Sequence, residues 1–211
     1  MIVLSLCDRT GVMVRPWLAA GYECWIVDQQ HSDGVVRDGN LVRVGADVST
    51  WLPPRGDYRI AFAFPPCTHL AVSGARWYKD KGLAALVDAL RLVEACRERL
   101  EWTGAPWMLE NPVGTLSTYW REPDHSFDPF EFGGYLPDGG DGYTKRTCIW
   151  HSADFQWPQR RPVEPVEGSR MHRLPPSAER ANLRSVTPEG FARAVFVANE
   201  LEPTNLFGDA S

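Results

Sequence analysis

Two stretches of this sequence, residues 2–7 and 59–64, are made of apolar residues with almost no polar side chain between them. A strand with one face in water alternates polar and apolar residues, whereas a strand buried on both faces does not. We therefore expect two central strands of a sheet that is covered on both sides. Further strands are predicted at 22–27, 107–109 and 146–150, with helices at 12–20, 81–102 and 188–201. This alternation predicts an α/β fold with an open, mostly parallel sheet flanked by helices.

The chain has 211 residues, of which 44% are hydrophobic and 23% are charged, and its net charge is −5. This length and composition predict a single domain, 1–211, and exclude long disorder and collagen. No apolar run approaches the ~20 residues that span a bilayer, and the N-terminus is typical of a first strand rather than a signal peptide. We therefore expect a cytoplasmic protein with no membrane partner. The acidic balance argues against a nucleic-acid partner, because domains that bind nucleic acid are usually basic.

The sequence contains five cysteines, none of them in a Cys-x-x-Cys pair. This spacing argues against a zinc site, and the odd number fits a reducing compartment, so we expect no metal. Cys67 differs from the others because it follows Pro65-Pro66 directly after the strand at 59–64. The other four lie in apolar stretches and are expected to be small buried residues: Cys7, Cys24, Cys96 and Cys148.

Polar or reactive residues follow four of the predicted strands. Asp8, Asp28, Cys67 and Glu110 each stand just past the carboxyl end of a strand. In open α/β sheets, ligands bind beyond the carboxyl ends of the strands. The sequence therefore predicts a functional site that gathers these four side chains at one edge.

Three short motifs carry a family resemblance. Phe64-Pro65-Pro66-Cys67, Glu110-Asn111-Pro112 and Thr144-Lys145-Arg146-Thr147 resemble, in the same order, three catalytic motifs of the DNA (cytosine-5) methyltransferases. The resemblance covers most of the chain except roughly 114–143 and 151–183, and it looks closest to short phage-type members. It implies a Rossmann-like fold that uses S-adenosyl-L-methionine as cofactor and DNA as partner.

The resemblance also implies roles for three catalytic residues. Cys67 would add as a thiolate to C6 of a cytosine, which makes C5 reactive toward a methylsulfonium. Glu110, with a raised pKa, would donate to N3 and accept from the exocyclic amine. Arg146 would stabilise the O2 side and orient Glu110. The cytosine must leave the helical stack first, because a duplex shields C6 from in-line attack.

The first loop departs from the family pattern. The family normally carries Phe-x-Gly-x-Gly there, but this chain reads Leu6-Cys7-Asp8-Arg9-Thr10-Gly11 and keeps only Gly11. We expect Asp8 to compensate by binding the methionine amino group. The cofactor-binding residues implied by the resemblance are Cys7, Asp8, Gly11, Asp28, Asp47, Val48, Pro65 and Asn199. The substrate-binding residues expected are Pro66, Ser73, Asn111, Lys145, Arg160 and Arg161.

The family usually has a large target-recognition domain, and here only residues 151–183 are available for it. Residues 146–184 carry seven arginines against four acidic residues, a local balance of +3. Phe155 and Trp157 are interleaved with these arginines and are expected to stack on bases. A second basic and aromatic cluster follows the catalytic cysteine and is expected to contact phosphates: Arg76, Trp77, Tyr78, Lys79 and Lys81.

Two other classes of function fit parts of the sequence. A free-nucleotide pyrimidine C5-modifying enzyme also adds a cysteine to C6, and the acidic charge and short recognition segment favour it. A non-catalytic DNA-binding relative would not need Cys67, Glu110 and Arg146 together. A zinc deaminase is excluded, because its signature needs a second cysteine where Leu70 stands. The oligomeric state, monomer or homodimer, is left open.

Overall fold

The computed structural model describes residues 1–72, 78–169, 182 and 185–200, without the side chains of 78, 79 and 81. Within these residues eight strands form one sheet in the order β3-β4-β2-β1-β5-β6-β8-β7. The strands are β1 (Ile2–Leu6), β2 (Glu23–Val27), β3 (Gly34–Asp38), β4 (Leu41–Gly45), β5 (Tyr58–Ala63), β6 (Trp107–Pro112), β7 (His125–Phe127) and β8 (Thr147–His151).

The centre of the sheet is parallel and its two edges are antiparallel. β4, β2, β1, β5 and β6 run in one direction, whereas β3, β8 and β7 pair in antiparallel fashion. The predicted α/β class is therefore confirmed, with a mixed sheet. Because β8 runs against β6, Pro112 pairs with Thr147, and the residues just before β8 meet the carboxyl ends of the parallel strands.

Four α-helices and one 3₁₀-helix accompany the sheet in the described residues. They are α1 (Arg15–Ala19), α2 (Tyr78–Trp102), α3 (Leu116–Tyr119), the 3₁₀-helix Pro129–Tyr135, and α4 (Glu189–Glu200). Gly82 interrupts α2 with a φ of 73°, a left-handed conformation that glycine adopts without a steric cost. The helix predicted at 12–20 is shorter than expected, and the long helix begins earlier.

Each face of the sheet has its own core. α1 and α4 cover one face, where Trp17 packs with Phe62 and Phe191 lies in the same cluster. α2 covers the other face, where Cys96 and Leu100 pack against the strands. The absence of alternation in β1 and β5 thus reflects burial on both faces, as the sequence predicted.

Residues 152–169 pack against the first core and extend it. Phe155 is only 3% exposed, and the Trp157 ring stacks on His125 with centroids 4.1 Å apart. The prediction that Phe155 and Trp157 stack on bases is therefore wrong, because both rings already pack against the protein's own core. The region 121–143 contains β7 and the 3₁₀-helix.

Two absences concern the described residues. No helix in this part of the chain is both long and apolar enough to cross a membrane. Nor do its His, Cys, Asp and Glu side chains gather in groups of three or more that would hold a metal ion.

Candidate active site at the carboxyl edge

Cys67 lies in a tight turn directly beyond β5. Pro65 is buried, and its carbonyl oxygen accepts a hydrogen bond of 3.0 Å from Nδ2 of Asn111 in β6. The carbonyl oxygen of Cys67 accepts bonds of 2.9 Å from the backbone N–H groups of Leu70 and Ala71. Hydrogen bonds thus fix the backbone before and after Cys67, while the residue itself stays partly exposed.

The turn is also attached to the segment that follows β6. The carbonyl oxygen of Leu70 accepts a bond of 2.8 Å from the N–H of Thr115, and Val72 donates to Val113 at 3.1 Å. Gly114 permits this approach, because a Cβ there would lie 2.1 Å from the Leu70 oxygen. Cys67 and Glu110 therefore belong to one connected unit.

Glu110 lines a small cavity of about 10 Å³, which holds about one water molecule. Burial raises the pKa of its carboxyl, although the Lys145 ammonium and a hydrogen bond from the Thr147 hydroxyl act to lower that pKa. A carboxyl of this kind holds a proton to a higher pH than an exposed one does. The other lining residues are Phe64, Phe127, Lys145, Ser185, Thr187, Pro188 and Phe191.

The two basic residues before β8 point to different places. Lys145 lines the pocket beside Glu110. Arg146 is instead paired with Asp128 at 3.3 Å and Glu131 at 3.4 Å, with 53% of its side chain exposed. The structure therefore brings Lys145, and not Arg146, to Glu110.

Arg160 and Arg161, both expected to bind substrate, lie on the same outer surface as Arg146. Nε of Arg160 is 2.6 Å from a carboxylate oxygen of Glu131, and the Arg161 guanidinium lies 4.4 Å from the centre of the Tyr135 ring. Glu131 thus joins Arg146 to Arg160, and part of the positive charge expected here is neutralised.

Two buried polar atoms near the Cys67 turn have no hydrogen-bond partner within the described residues. They are Oδ1 of Asn111 and Nδ1 of His69. Nearly all buried polar atoms in proteins are hydrogen-bonded, so each exception calls for an explanation. The Asn111 amide therefore uses one end to hold Pro65 and keeps an acceptor free.

The loop after β1 is organised around Asp8. Its buried carboxylate accepts hydrogen bonds from the Ser5 hydroxyl at 2.7 Å, from the Gly11 N–H at 2.7 Å and from the Thr10 N–H at 3.1 Å. Gly11 has a φ of +65°, and a Cβ there would lie 3.3 Å from the side chain of Ile26. The structure thus gives both residues a role in shaping their own loop.

The remaining carboxylates of this region follow β2 and β4. Asp28 is buried, and its Oδ1 accepts a bond of 2.7 Å from the Gln30 N–H, whereas its Oδ2 has no hydrogen bond in the described part of the chain. Asp47 is exposed and accepts a bond of 2.8 Å from the Ser49 N–H, and Val48 beside it is buried. Oδ2 of Asp47, like Oδ2 of Asp28, accepts no hydrogen bond from the described residues, and of these two carboxylates only that of Asp28 is buried.

Cys7 stands between these carboxylates and α2. It has a φ of 54°, which is uncommon for a residue with a side chain. The carboxylates of Asp28 and Asp47 are close enough to contribute to raising the pKa of its thiol. Cys7, Asp28 and Asp47 thus lie close together at this edge of the sheet.

Asn199 lies elsewhere. Its side chain donates to the carbonyl oxygens of Gln156 and Val195 at 2.9 Å each and accepts from the Gln156 N–H at 2.9 Å. Its own carbonyl oxygen accepts from Arg59, at the amino end of β5. The structure therefore separates Asn199 from the cofactor-binding set, because α4 carries it to the opposite edge of the sheet.

Some expected residues fall outside the described part. Ser73, Arg76 and Trp77 lie among the residues that the structure does not describe, as do the side chains of Tyr78, Lys79 and Lys81. Pro66 is exposed next to Cys67. Sequence reasoning missed Phe127 and Phe191, whose rings stack with centroids 4.1 Å apart and line the pocket. Their apolar character gave no signal that distinguished them from ordinary core residues.

In comparisons with known proteins, no family model matches this sequence and no curated protein matches it.

Proposed function

We propose that this protein is an S-adenosyl-L-methionine-dependent DNA cytosine C5 methyltransferase. The observation that carries the proposal is the hydrogen bond from Nδ2 of Asn111 to the Pro65 carbonyl. Pro65 lies two residues before Cys67, and Asn111 lies next to Glu110. A thiol and a carboxyl are thereby held by one connected backbone unit at a sheet edge where ligands bind.

The chemistry of cytosine assigns a task to each group. The Cys67 thiolate adds to C6, and electron density moves through the ring toward N3. Glu110 donates its proton to N3, and the burial that raises its pKa supports this role. Lys145 places an ammonium beside the same pocket and stabilises negative charge on the O2 side. C5 would then take the methyl group that S-adenosyl-L-methionine supplies, and the electron pair of the broken carbon–sulfur bond would stay on the cofactor's sulfur. Removal of the C5 proton by a solvent base then reforms the C5–C6 double bond and expels Cys67 as a thiolate, and N3 returns its proton to Glu110.

The cavity beside Glu110, about 10 Å³, must widen to receive a pyrimidine ring, so the proposal includes movement of its lining residues. Phe64, Phe127 and Phe191 contribute apolar walls, and Glu110 and Lys145 contribute the polar end. Enzymes that modify a base in a duplex take it out of the stack into such a pocket.

The cofactor would supply an electrophilic methyl group. Asp28 fits its ribose, because a buried carboxylate with a free oxygen at the end of a strand accepts hydrogen bonds from sugar hydroxyls. Asp8 fits the amino group less well, because its own loop already uses both carboxylate oxygens. We therefore place the cofactor contacts of this chain on Asp28 and Asp47 first.

A second candidate is modification of a free pyrimidine nucleotide at C5. The pairing of Arg146 and Arg160 with Glu131 favours it, because paired arginines attract a DNA backbone weakly. The net charge of −5 acts in the same direction. The third candidate is a DNA-binding relative without activity. Binding DNA does not require a carboxyl whose pKa is raised by burial, so Glu110 does not support this candidate.

The test is a transfer assay with methyl-labelled S-adenosyl-L-methionine and three acceptors: duplex DNA, single-stranded DNA and dCMP. We expect label at C5 of cytosine in DNA, and none when Cys67→Ser replaces the parent protein. Label in dCMP alone would establish the second candidate. Binding of DNA without any label in the three acceptors would favour the inactive relative.

A further inference from the structure

Two thiols face each other behind the loop that follows β1. The sulfur of Cys7 lies 3.8 Å from the sulfur of Cys96 in α2, and Cys96 is fully buried. No other pair of sulfurs in the described part has a recorded contact; the Cys24 sulfur, for example, faces the carbonyl oxygens of Val14 and Tyr22 at 3.7 Å. Cys7 and Cys96 are 89 residues apart in the chain.

We propose that Cys7 and Cys96 form a reversible disulfide when the protein meets a peroxide. A disulfide needs its sulfurs at ~2.0 Å, so the observed pair must close by about 1.8 Å. Rotation about the two Cα–Cβ bonds provides part of this movement. The rest requires a small displacement of the backbone at Cys7, the more exposed of the two residues.

The reaction balances with hydrogen peroxide as the oxidant. The thiolate of Cys7 attacks one peroxide oxygen, the O–O bond breaks, and hydroxide leaves a sulfenic acid on Cys7. The Cys96 sulfur then attacks the Cys7 sulfur, the S–O bond breaks, and water leaves. Two thiols are oxidised by two electrons in total, and one peroxide is reduced to two waters.

The surroundings set the pH at which this happens. The hydrogen bond with Cys96, burial, and the carboxylates of Asp28 and Asp47 all raise the pKa of the Cys7 thiol. The thiolate is the species that reacts, so its small population at neutral pH makes oxidation slow there. Formation of the disulfide is therefore faster at pH 9 than at pH 7.

The crosslink would connect two elements that are 89 residues apart in the chain. Cys7 has a left-handed backbone and precedes Asp8, whose carboxylate organises the loop up to Gly11. Cys96 lies in the helix that covers the opposite side of the sheet from α1. Oxidation would therefore fix the loop after β1 to a rigid helix, and this inference does not depend on the proposed function.

The experiment uses the full chain in a Cys67→Ser background, which removes the partly exposed thiol beyond β5. The protein is treated with hydrogen peroxide at pH 7 and pH 9, alkylated, digested without reductant and analysed by mass spectrometry. We expect a peptide pair joining Cys7 to Cys96, in larger amount at pH 9. We also expect an upward shift of Tm that dithiothreitol reverses, because a crosslink of long span restricts the unfolded chain.

Two variants keep the test decisive. Cys24→Ala removes a buried thiol without a sulfur neighbour and should leave the Cys7–Cys96 pair and the Tm shift unchanged. Cys96→Ala should abolish both, and its far-ultraviolet circular dichroism checks that it folds. Oxidation of the parent that stops at a sulfinic acid on Cys7, or that joins either residue to Cys24 or Cys148 instead, would overturn the proposal.

Discussion

The carboxyl edge of the sheet has two halves whose polar side chains are satisfied differently. Beyond β1 and β4, carboxylates accept hydrogen bonds from N–H groups of their own loops, as Asp8 does from Gly11 and Asp47 does from Ser49. Within β6, near its carboxyl end, Glu110 has a pKa raised by burial, and Oδ1 of Asn111 has no partner in the described residues. We call these the loop half and the reaction half.

Buried polar atoms without partners cost free energy, so a stable fold keeps few of them. Asn111 Oδ1 is one of four such atoms in the described residues, and His69 Nδ1 near the Cys67 turn is another; the other two, Trp17 Nε1 and His151 Nε2, lie outside both halves. In the loop half, Oδ2 of Asp28 and Oδ2 of Asp47 accept no hydrogen bond from the described residues. Under the proposed function, the reaction half carries out the chemistry and the loop half binds the cofactor, so substitutions in the two halves should have unequal effects.

The largest effect is expected from Cys67→Ser. A serine hydroxyl is a far weaker nucleophile than a thiolate, so transfer should fall by about 10³-fold or more while cofactor binding is retained. Labelled transfer and equilibrium binding of S-adenosyl-L-methionine measure the two properties. Cys24→Ala is the matched control and should retain transfer within about twofold. Full methyl transfer by Cys67→Ser would show that Cys67 is not the nucleophile and that the reaction half does not carry out the chemistry.

Glu110→Gln comes next, because it removes the proton that Glu110 donates. We expect a loss of about 10²–10³-fold in transfer. The free energy of unfolding at neutral pH should instead rise in this variant. Because burial raises the pKa of Glu110, the folded state binds its proton more tightly than the unfolded state, in which the pKa is near 4.5. The stabilisation from this proton is present below that value and is lost as pH rises through the folded-state pKa.

Urea unfolding from pH 4 to pH 8 tests that sign. The variant Glu110→Gln should match the parent near pH 4 and exceed it at pH 8, by about 1.4 kcal/mol for each unit of pKa difference. A parent that gains stability relative to this variant as pH rises would contradict the raised pKa of Glu110.

Asn111→Ala should have a smaller effect on transfer than either. It leaves the buried Pro65 carbonyl without its donor, so we expect a loss of about 1–3 kcal/mol in stability and about 10–100-fold in transfer. Asn40→Ala removes a similar bond, from Nδ2 to the Gly21 carbonyl, but on an exposed surface. That control should change stability by no more than about 0.5 kcal/mol. Equal effects of the two substitutions would mean that the hydrogen bond from Asn111 does not hold the Cys67 turn against β6.

The two cations before β8 should differ. Lys145→Gln removes the charge that lowers the pKa of Glu110, so that pKa rises further and transfer falls by about tenfold. The alkaline limb of the pH profile should therefore move to higher pH. Arg146→Gln removes pairs with Asp128 and Glu131 on an exposed surface and should change transfer by less than about threefold. The reverse order would restore Arg146 as the catalytic cation.

The smallest effects are expected in the loop half. Asp28→Asn should weaken binding of S-adenosyl-L-methionine by about three- to tenfold, because the free oxygen becomes an amide. Asp8→Asn keeps an oxygen to accept from the Gly11 N–H and should change binding by less than about twofold. Isothermal titration of both variants measures this order. A larger loss for Asp8→Asn would show that its carboxylate meets the ligand directly.

The sequence predicts the parallel centre of the sheet well and its edges poorly. The apolar runs of β1 and β5 report burial on both faces, which a local pattern can carry. The hairpin of β3 and β4 was not predicted, because β3 is exposed along its whole length and has no burial pattern to read. β7 has three residues, too few for any periodicity.

The site was predictable in the same uneven way. Cys67 and Glu110 stand at strand ends, and strand ends can be read from the sequence. The sequence does not show that Lys145, rather than Arg146, lies beside Glu110. That placement depends on how the chain enters β8 and on the pairing of Arg146 with Asp128 and Glu131, which only the fold brings together. Asn199 was misplaced for a related reason, because the motif gives a residue in a helix but not the edge at which that helix ends.

The most direct test of the central claim is covalent trapping on a duplex that contains 5-fluorocytosine. The fluorine cannot leave as a proton does, so the adduct formed by thiol addition to C6 persists after methyl transfer. We predict, in the presence of S-adenosyl-L-methionine, a crosslinked species whose digestion places the nucleotide on Cys67, and its loss in Cys67→Ser. An adduct on another residue, or transfer of label to unmodified DNA with no adduct on the fluorinated duplex, would contradict the account.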